Sequence, residues 1–293
     1  MRFTPHAGAV SDMPDPDRLA KTLERATAAF RATPGRLGRV VTLRGATEVL
    51  AAGDLHGNIE NFRRLMEKAD LSRNPTRHFV LQEIIHGPNR YADGSDKSHQ
   101  LVDLLAALKC QFPLQVHFLP GNHELAQASN RKIGKEEDDL NQLFRLGVSA
   151  AYAGRDQAIY SHYCDIFVVA PLAIKTPNRV LLTHSLPNRI ALESFDTAVL
   201  ERDKSDEADM LPGGSVYSLL WGRDTREQTA ADFLARMGAD LLITGHIPCE
   251  KGFDVPNGRQ VILDCLGSPA AYCLFPADRP LSQTELLGCV KVL

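Results

Sequence analysis

The chain has 293 residues, of which 44% are hydrophobic and 24% charged, and its formal net charge is −3. This composition is typical of a globular protein with a large core, and the small negative charge gives no reason to expect a nucleic-acid or membrane-surface partner. The six cysteines include no Cys-x-x-Cys pair, which favours free thiols over a disulfide framework. The most apolar inner stretch is too short to span a bilayer, so we expect a cytoplasmic protein without a membrane partner.

The beginning of the chain is predicted to be a tail followed by one amphipathic helix. Residues 1–15 have no periodic pattern, and Asp15-Pro16 has the form of a helix start, with aspartate as the N-cap and proline at the first helical position. This helix is expected to pack on the main domain through one apolar stripe. The stripe consists of residues at helical spacing, Leu19, Leu23, Ala26 and Phe30.

From residue 39 onward, apolar runs typical of buried strands alternate with amphipathic helices. Residues 40–43 and 47–52 flank Gly45 and are predicted to form a hairpin. The order of strand, polar loop and helix indicates an α/β protein, whose sites lie at the carboxyl ends of its strands. No linker interrupts this part, so we predict one domain over residues 39–293, with residues 1–38 as the N-terminal tail and helix.

Five apolar runs are each followed by a short segment with residues of the kinds that bind divalent metals. The five segments are Gly53-Asp54-Leu55-His56-Gly57-Asn58, Gln82-Glu83, Gly121-Asn122-His123-Glu124, Thr183-His184-Ser185 and Gly245-His246. Carboxylate, amide and imidazole groups together form a mixed oxygen and nitrogen ligand set, which suits a hydrolytic metal centre. Each segment alone is better explained by a helix cap or a core histidine. Five of them in one chain favour a metal site.

The same segments resemble the calcineurin-like metallophosphoesterase family. Gly-Asp-x-His-Gly at residues 53–57 and Gly-Asn-His-Glu at residues 121–124 carry the resemblance, together with Gly-His at residues 245–246. Leu-Leu-Trp at residues 219–221 is similar to a segment of the serine/threonine phosphoprotein phosphatase branch. The resemblance covers roughly residues 48–275. It implies an α/β fold, a four-layer αββα sandwich of two mixed β-sheets flanked by helices, with two metal ions at the sheet edge.

The resemblance also implies a role for each matching residue. The first ion would be bound by Asp54 and His56, the second by Asn122, His184 and His246, and Glu83 would bridge the two. His123 resembles the family's general acid, which gives a proton to the leaving alkoxide. Two divalent ions are expected, with Mn²⁺ as the first expectation and Fe or Zn as alternatives, because such ligands do not select sharply among them.

The second block of the chain departs from the family pattern. The family has Gly-Asp-x-x-Asp-Arg where this chain has Gln82-Glu83-Ile84-Ile85-His86-Gly87. The extra methylene of Glu83 shifts its carboxylate relative to an aspartate. His86 stands where an aspartate normally orients the general acid. It would either contact His123 as a second imidazole, so that each lowers the pKa of the other, or turn inward as an extra metal ligand.

The family's phosphate-binding arginine is also missing, because Gly87 occupies its position. An arginine from another loop would restore the bidentate grip on the phosphoryl group. Arg223, just after Trp221, is the first choice, and Arg90 and Arg131 are the alternatives.

The sequence therefore predicts a dinuclear metal-dependent phosphoesterase that hydrolyses phosphomonoesters with a metal-activated water. Its partner would be a phosphorylated substrate, either a small phosphoester or protein phosphoserine and phosphothreonine. A phosphodiesterase or dinucleoside polyphosphate hydrolase is an alternative, because such enzymes share the metal-binding segments. A metal-binding scaffold without hydrolysis is a third interpretation, motivated by the two residues missing from the second block.

Overall fold

The computed structural model describes residues 15–135 and 138–293, so the tail predicted for residues 1–15 lies outside this part except for Asp15. Strands β1 to β14 are Arg36–Leu37, Val40–Thr42, Glu48–Asp54, Arg77–Gln82, Val116–Leu119, Gly134–Lys135, Asp138–Asp139, Ala173–Lys175, Val180–Thr183, Leu241–Thr244, Phe253–Asn257, Gln260–Leu263, Ala271–Pro276 and Val290–Val292. Helices α1 to α11 are Pro16–Arg31, Ile59–Ala69, His99–Gln111, Asn122–Ala128, Leu140–Ala151, Asp156–Val169, Arg189–Glu193, Glu207–Met210, Ser215–Trp221, Glu227–Met237 and Gln283–Gly288, and a 3₁₀ helix spans Thr197–Glu201. Within the described ranges, no helix combines the length and the apolar character that a membrane crossing requires.

Two large sheets carry the fold, and both contain parallel and antiparallel neighbours. The seven-stranded sheet has the order β1-β2-β8-β9-β10-β12-β11, and the five-stranded sheet has the order β14-β13-β3-β4-β5. Strands β3, β4 and β5 run parallel to one another, as do β9, β10 and β12, whereas β13 is antiparallel to β3 and β8 to β9. Strands β6 and β7 form a separate two-stranded ribbon.

The alternation of side chains along each strand divides the core into layers, because successive side chains point to opposite faces of a sheet. In β3, Leu50 packs in a cluster with helices α1, α2, α3, α5 and α6, whereas Val49 packs in a cluster shared by both sheets. In β9, Leu182 faces that shared cluster, and Leu181 packs with helices α9 and α10. The protein is therefore a four-layer αββα sandwich, and the predicted fold is confirmed.

The predicted hairpin around Gly45 is wrong. Strand β2 lies in the seven-stranded sheet, parallel to β8, whereas β3 lies in the five-stranded sheet. Gly45 has a φ of 78° and forms the turn at which the chain passes from one sheet to the other. The amide of Leu43 donates to the carbonyl of Lys175, and the amide of Thr47 donates to the carbonyl of Thr76. A turn between two strand-like runs does not reveal whether the runs share a sheet.

Helix α1 forms as the sequence predicts. The Asp15 side chain accepts a hydrogen bond of 2.9 Å from the amide of Arg18, and Pro16 occupies the first helical position. The predicted apolar stripe is buried against α3 and α6. The boundary that we predict at residue 38 stays a prediction; strand β1, before this boundary, pairs with β2 at the edge of the seven-stranded sheet.

A lysine is buried where α1, α3 and β5 meet. The Lys109 ammonium donates to Thr33 Oγ1 and to the carbonyls of Pro113 and Val116, and it lies 4.7 Å from the centre of the Phe30 ring. The side chain is fully buried. Burial, followed by the charge of Arg36, lowers the pKa of Lys109 to about 7. Above this pH the folded chain releases a proton that the unfolded chain still binds.

We predict that the wild type gains stability relative to Lys109→Met as the pH rises from 7 to 9. Because the folded-state pKa lies below the unfolded value, stability increases with pH between the two values. The difference in the free energy of unfolding should change by about 2 kcal/mol over this range. Urea unfolding of both proteins at pH 7, 8 and 9 measures it. Parallel pH dependences for the two proteins would contradict the assignment.

Candidate metal centre

Five strands end at one place between the two sheets. Their ends lead into Asp54 on β3, Glu83 after β4, Asn122 after β5, His184 after β9 and His246 after β10. The first three strands belong to the five-stranded sheet and the other two to the seven-stranded sheet. The backbone of Asp54 also forms a bridge with Asp264 after β12. The carboxyl ends of parallel strands thus meet, which is where α/β sheets place their ligand sites.

The backbone is strained at this place. Four of the site's residues have a left-handed φ: His56 at 41°, Glu83 at 30°, His86 at 61° and His246 at 67°. Only seven non-glycine residues in the described ranges have a positive φ, so more than half of them lie here. Such a conformation costs roughly 1–3 kcal/mol per residue and persists where the surrounding structure enforces it.

His184 lies at the centre of the site and is fully buried. Its Nε2 atom is 3.2 Å from Asn122 Oδ1, 3.1 Å from His246 Nδ1 and 3.6 Å from Glu83 Oε1, and its Nδ1 atom is 3.6 Å from Asp54 Oδ1. Asp54 Oδ1 and His184 Nδ1 have no hydrogen-bond partner among the described residues. A cation would satisfy these buried lone pairs, which are otherwise costly to bury.

His56 faces Glu83 through its Nε2 atom. Its Nδ1 lies 2.8 Å from the carbonyl oxygen of Ile85 and therefore carries a hydrogen, so in the neutral ring Nε2, 3.1 Å from Glu83 Oε2, would carry none. Two acceptors at this distance repel unless a proton or a cation lies between them. Burial alone would lower the pKa of His56, but the Glu83 carboxylate reverses this and raises the pKa to about 10.

The pKa values of the two buried carboxylates are shifted in opposite directions. Burial and then the charge of Glu83 raise the pKa of Asp54 well above its usual value. Burial would also raise the pKa of Glu83, but the imidazoles of His184, His123 and His56 hold it well below its usual value. Of the two carboxylates, Glu83 is thus the one whose ionised form the neighbouring imidazoles favour.

The donor set fits divalent cations. In one group, ligand atoms of His56, Glu83 and His123 lie within 4.8 Å of one another, and in the other group those of Asp54, Glu83 and His184 do. Glu83 belongs to both groups. Oxygen and imidazole donors in this combination suit Mn, Fe or Zn.

A hydrogen-bonded chain of side chains supports His123. The Gln127 amide nitrogen donates to the Tyr160 hydroxyl at 2.9 Å, so its oxygen faces His86 Nε2 at 2.8 Å and accepts a hydrogen bond from it. His86 Nδ1, at 2.8 Å from His123 Nδ1, then accepts a hydrogen bond from that ring. Both nitrogens of His86 are occupied, so the ring contacts His123 and has none left for a metal ion.

Burial lowers the pKa of both imidazoles in this chain. Burial, followed by the charge of His123, lowers the pKa of His86 to about 3. Burial lowers the pKa of His123 to about 4, although the Glu83 carboxylate opposes this. The charge of His123 thus lowers the pKa of its partner His86, which is one half of the mutual effect that we expect from the departure at residue 86.

Glu124 and Gln127 hold the site from behind. Glu124 is fully buried, and its carboxylate accepts hydrogen bonds from the amides of Ile84, Ile85 and Gly121. It thereby joins the loop after Glu83 to the start of α4. Gln127 is a residue of the site that the sequence motifs do not single out. Gln127 follows His123 by four residues, so the two side chains lie on the same face of a helix. This spacing is the feature of the sequence from which its contact with the His123–His86 pair could be predicted.

The site opens into a cavity of about 440 Å³. Its lining includes Arg90, Arg223 and Asp264 as well as Asp54, His56, Glu83, His86, Asn122, His123 and His246. Arg223 Nε donates to His246 Nε2 at 3.2 Å. Arg131 does not line the cavity and instead lies over the stacked rings of Tyr217 and Trp221. Of the three candidate arginines, two are thus at the site.

Two curated proteins to which the chain is similar are serine/threonine-protein phosphatases by name. A probable serine/threonine-protein phosphatase of Encephalitozoon cuniculi is 25% identical over 237 residues, which are 76% of this chain and 47% of that protein. Serine/threonine-protein phosphatase 5 of Homo sapiens is 23% identical over 259 residues, which are 79% of this chain and 46% of that protein. The chain spans about half the length of these curated relatives.

Solved structures share the fold. A protein serine/threonine phosphatase from Saccharomyces cerevisiae, described as similar to human phosphatase PP5, superimposes with a TM-score of 0.67 at 16% identity, over 96% of this chain and 89% of that chain. A cold-active protein-tyrosine phosphatase of a Shewanella species superimposes with a TM-score of 0.58 at 14% identity, over 90% and 84% of the two chains. At these identities the likeness shows the fold alone.

The family model described as calcineurin-like phosphoesterase matches residues 47–250. This match spans most of the chain and contains all six of the predicted metal ligands as well as His123. The chain therefore belongs to the calcineurin-like phosphoesterase family, whose members are metal-dependent hydrolases of phosphoric ester bonds.

Proposed function

We propose that the protein hydrolyses phosphomonoesters, with phosphoserine and phosphothreonine of proteins as its substrate class. The observation that carries this proposal is the meeting of Asp54, Glu83, Asn122, His184 and His246 in one buried cluster. The curated relatives are serine/threonine phosphatases by name, which favours this substrate class.

Two divalent ions, with Mn²⁺ first and Fe or Zn as alternatives, are the proposed cofactors. One ion would be held by Asp54 and His56. The other ion would be held by Asn122, His184 and His246, and Glu83 would bind both ions. A pair of such ions lowers the pKa of a shared water and neutralises charge on the phosphoryl oxygens. The place of Glu83 in both ligand groups supports its bridging role.

His123 is proposed as the general acid. Its Nδ1–H donates to His86, so the proton for the leaving alkoxide would be held at Nε2. His86 and Gln127 fix the orientation of the ring without a charge. An aspartate at position 86 would stabilise the protonated imidazole, whereas the neutral His86 makes His123 a stronger acid.

Arg223 is proposed to bind a phosphoryl oxygen. Its Nε lies 3.2 Å from His246 Nε2, which places the guanidinium at the cavity, and its remaining N–H groups form no hydrogen bond with any residue of the described ranges. Arginine suits this task because its fork of donors matches phosphoryl oxygens.

A substrate panel tests the proposal. The Mn²⁺-loaded protein should hydrolyse p-nitrophenyl phosphate and phosphoserine and phosphothreonine peptides, and it should act much more slowly on bis-p-nitrophenyl phosphate. Faster hydrolysis of the diester, or of a dinucleoside polyphosphate, would favour the alternative substrates. Metal binding without turnover on any of these substrates would favour the scaffold interpretation.

We predict that Asp54→Asn reduces the metal content and lowers kcat by about 100-fold or more, because a neutral amide binds a cation more weakly than a carboxylate. Metal analysis of the dialysed protein measures the first effect, and turnover of p-nitrophenyl phosphate measures the second. Asp240→Asn is the control, since Asp240 is 58% exposed and pairs with Arg179 at the surface. Equal metal content in Asp54→Asn and the wild type would remove Asp54 from the ligand set.

We predict that His123→Ala lowers kcat for a phosphoserine peptide by about 10²- to 10⁴-fold. The loss for p-nitrophenyl phosphate should be much smaller, because p-nitrophenolate leaves without a proton. The control is His162→Ala, a half-buried histidine of α6 that faces Glu24 and Asp165. An equal loss on both substrates would mean that His123 acts in another way, as a metal ligand for example.

A further inference from the structure

Position 87 has no room for a side chain. A Cβ atom on Gly87 would lie 2.1 Å from the backbone carbonyl oxygen of His56. The metal-binding loop that contains His56 therefore excludes an arginine from this position in the present backbone. A guanidinium that binds the phosphoryl group on the His86 side of the cavity therefore has to come from a position other than 87.

Arg90 follows three residues later, in a short hairpin over residues 89–97. The amide of Lys97 donates to the carbonyl of Asn89, and the amide of Tyr91 donates to the carbonyl of Ser95. Arg90 itself faces Asp96 across the hairpin. The hairpin thus places Arg90 opposite Asp96.

Asp96 fixes this hairpin to the body of the protein. Its amide donates to the carbonyl of Leu143 in α5, and its carboxylate accepts hydrogen bonds from the amide and the hydroxyl of Ser98. The Ser98 hydroxyl in turn accepts from the amide of His86 at 3.0 Å. Because one network holds both segments, the backbone of Arg90 has a fixed position relative to the His86–His123 pair.

The guanidinium of Arg90 has unused donors at the cavity wall. The side chain is 25% exposed and lines the cavity with His56, His86 and His123. Arg90 Nη1 lies 3.8 Å from Asp96 Oδ2, which balances charge but is too long for a hydrogen bond. None of its five N–H groups forms a hydrogen bond with a residue in the ranges 15–135 and 138–293.

We propose that Arg90 binds the phosphoryl oxygens of the substrate, in the place of the side chain that Gly87 cannot carry. This proposal rests on the proposed function. A phosphoryl dianion accepts charge-assisted hydrogen bonds from a guanidinium, and such bonds are among the strongest in proteins. Arg90 and Arg223 bind it together from two different loops. Asp96 acts as the positioning residue that holds Arg90 without consuming its donors.

The test is the affinity of the Mn²⁺-loaded protein for inorganic phosphate, measured by calorimetry and by product inhibition. Arg90→Gln should weaken phosphate binding by about 10- to 100-fold, because it removes the charge and the fork of donors. Arg90→Lys should weaken it by about fivefold, since the charge stays but the fork is lost. The control is Arg279→Gln, which removes the same charge at a surface ion pair with Glu285 and should leave the affinity unchanged.

Three outcomes have distinct meanings. If the wild type binds phosphate and both Arg90 variants bind it within twofold, the role of Arg90 is overturned and the proposed function stands. If the metal-loaded wild type neither binds phosphate nor hydrolyses esters, both proposals fail. Metal content and thermal unfolding are measured for every variant. Should Arg90→Gln not fold, the result for Arg90→Lys decides, because it keeps the aliphatic stem and the charge.

Discussion

The hydrogen bond from the backbone amide of His246 to Asp54 Oδ2, 2.6 Å long, joins the two halves of the protein. The carboxylate belongs to the five-stranded sheet and the amide follows a strand of the seven-stranded sheet. A Cβ atom at Gly245 would lie 2.1 Å from Asp54 Oδ1, so only glycine allows this approach. Because the other ligand candidates follow neighbouring strand ends, their convergence depends on the contact between these two sheets.

The second constraint is the absence of a carboxylate at position 86, beside His123. His86 and Gln127 orient His123 by hydrogen bonds alone, and the chain of donors ends at Tyr160. Such an arrangement sets the tautomer of His123 as an aspartate would, but it does not favour the protonated ring. The Glu83 carboxylate is then the neighbouring charge that raises the pKa of His123, against the larger effect of burial.

The sequence predicts the site better than it predicts the connections. Strand ends are local features, and parallel strands bring their ends together, so Asp54, His184 and His246 could be assigned from pattern and family resemblance. The turn at Gly45 could not be assigned correctly, since the choice between a hairpin and a crossing depends on distant partners such as Lys175. Likewise, no local pattern distinguishes Arg90 from Arg131; their difference arises from the hairpin and from the stacked rings on which Arg131 lies.

The close approach of Gly87 to the His56 carbonyl restricts how this chain can evolve. Arginine at position 87 would force the loop of His56 to move. This substitution would therefore be tolerated only together with a change in the conformation of the neighbouring loop. As long as the loop keeps its conformation, the phosphoryl-binding guanidinium that we propose has to come from another position.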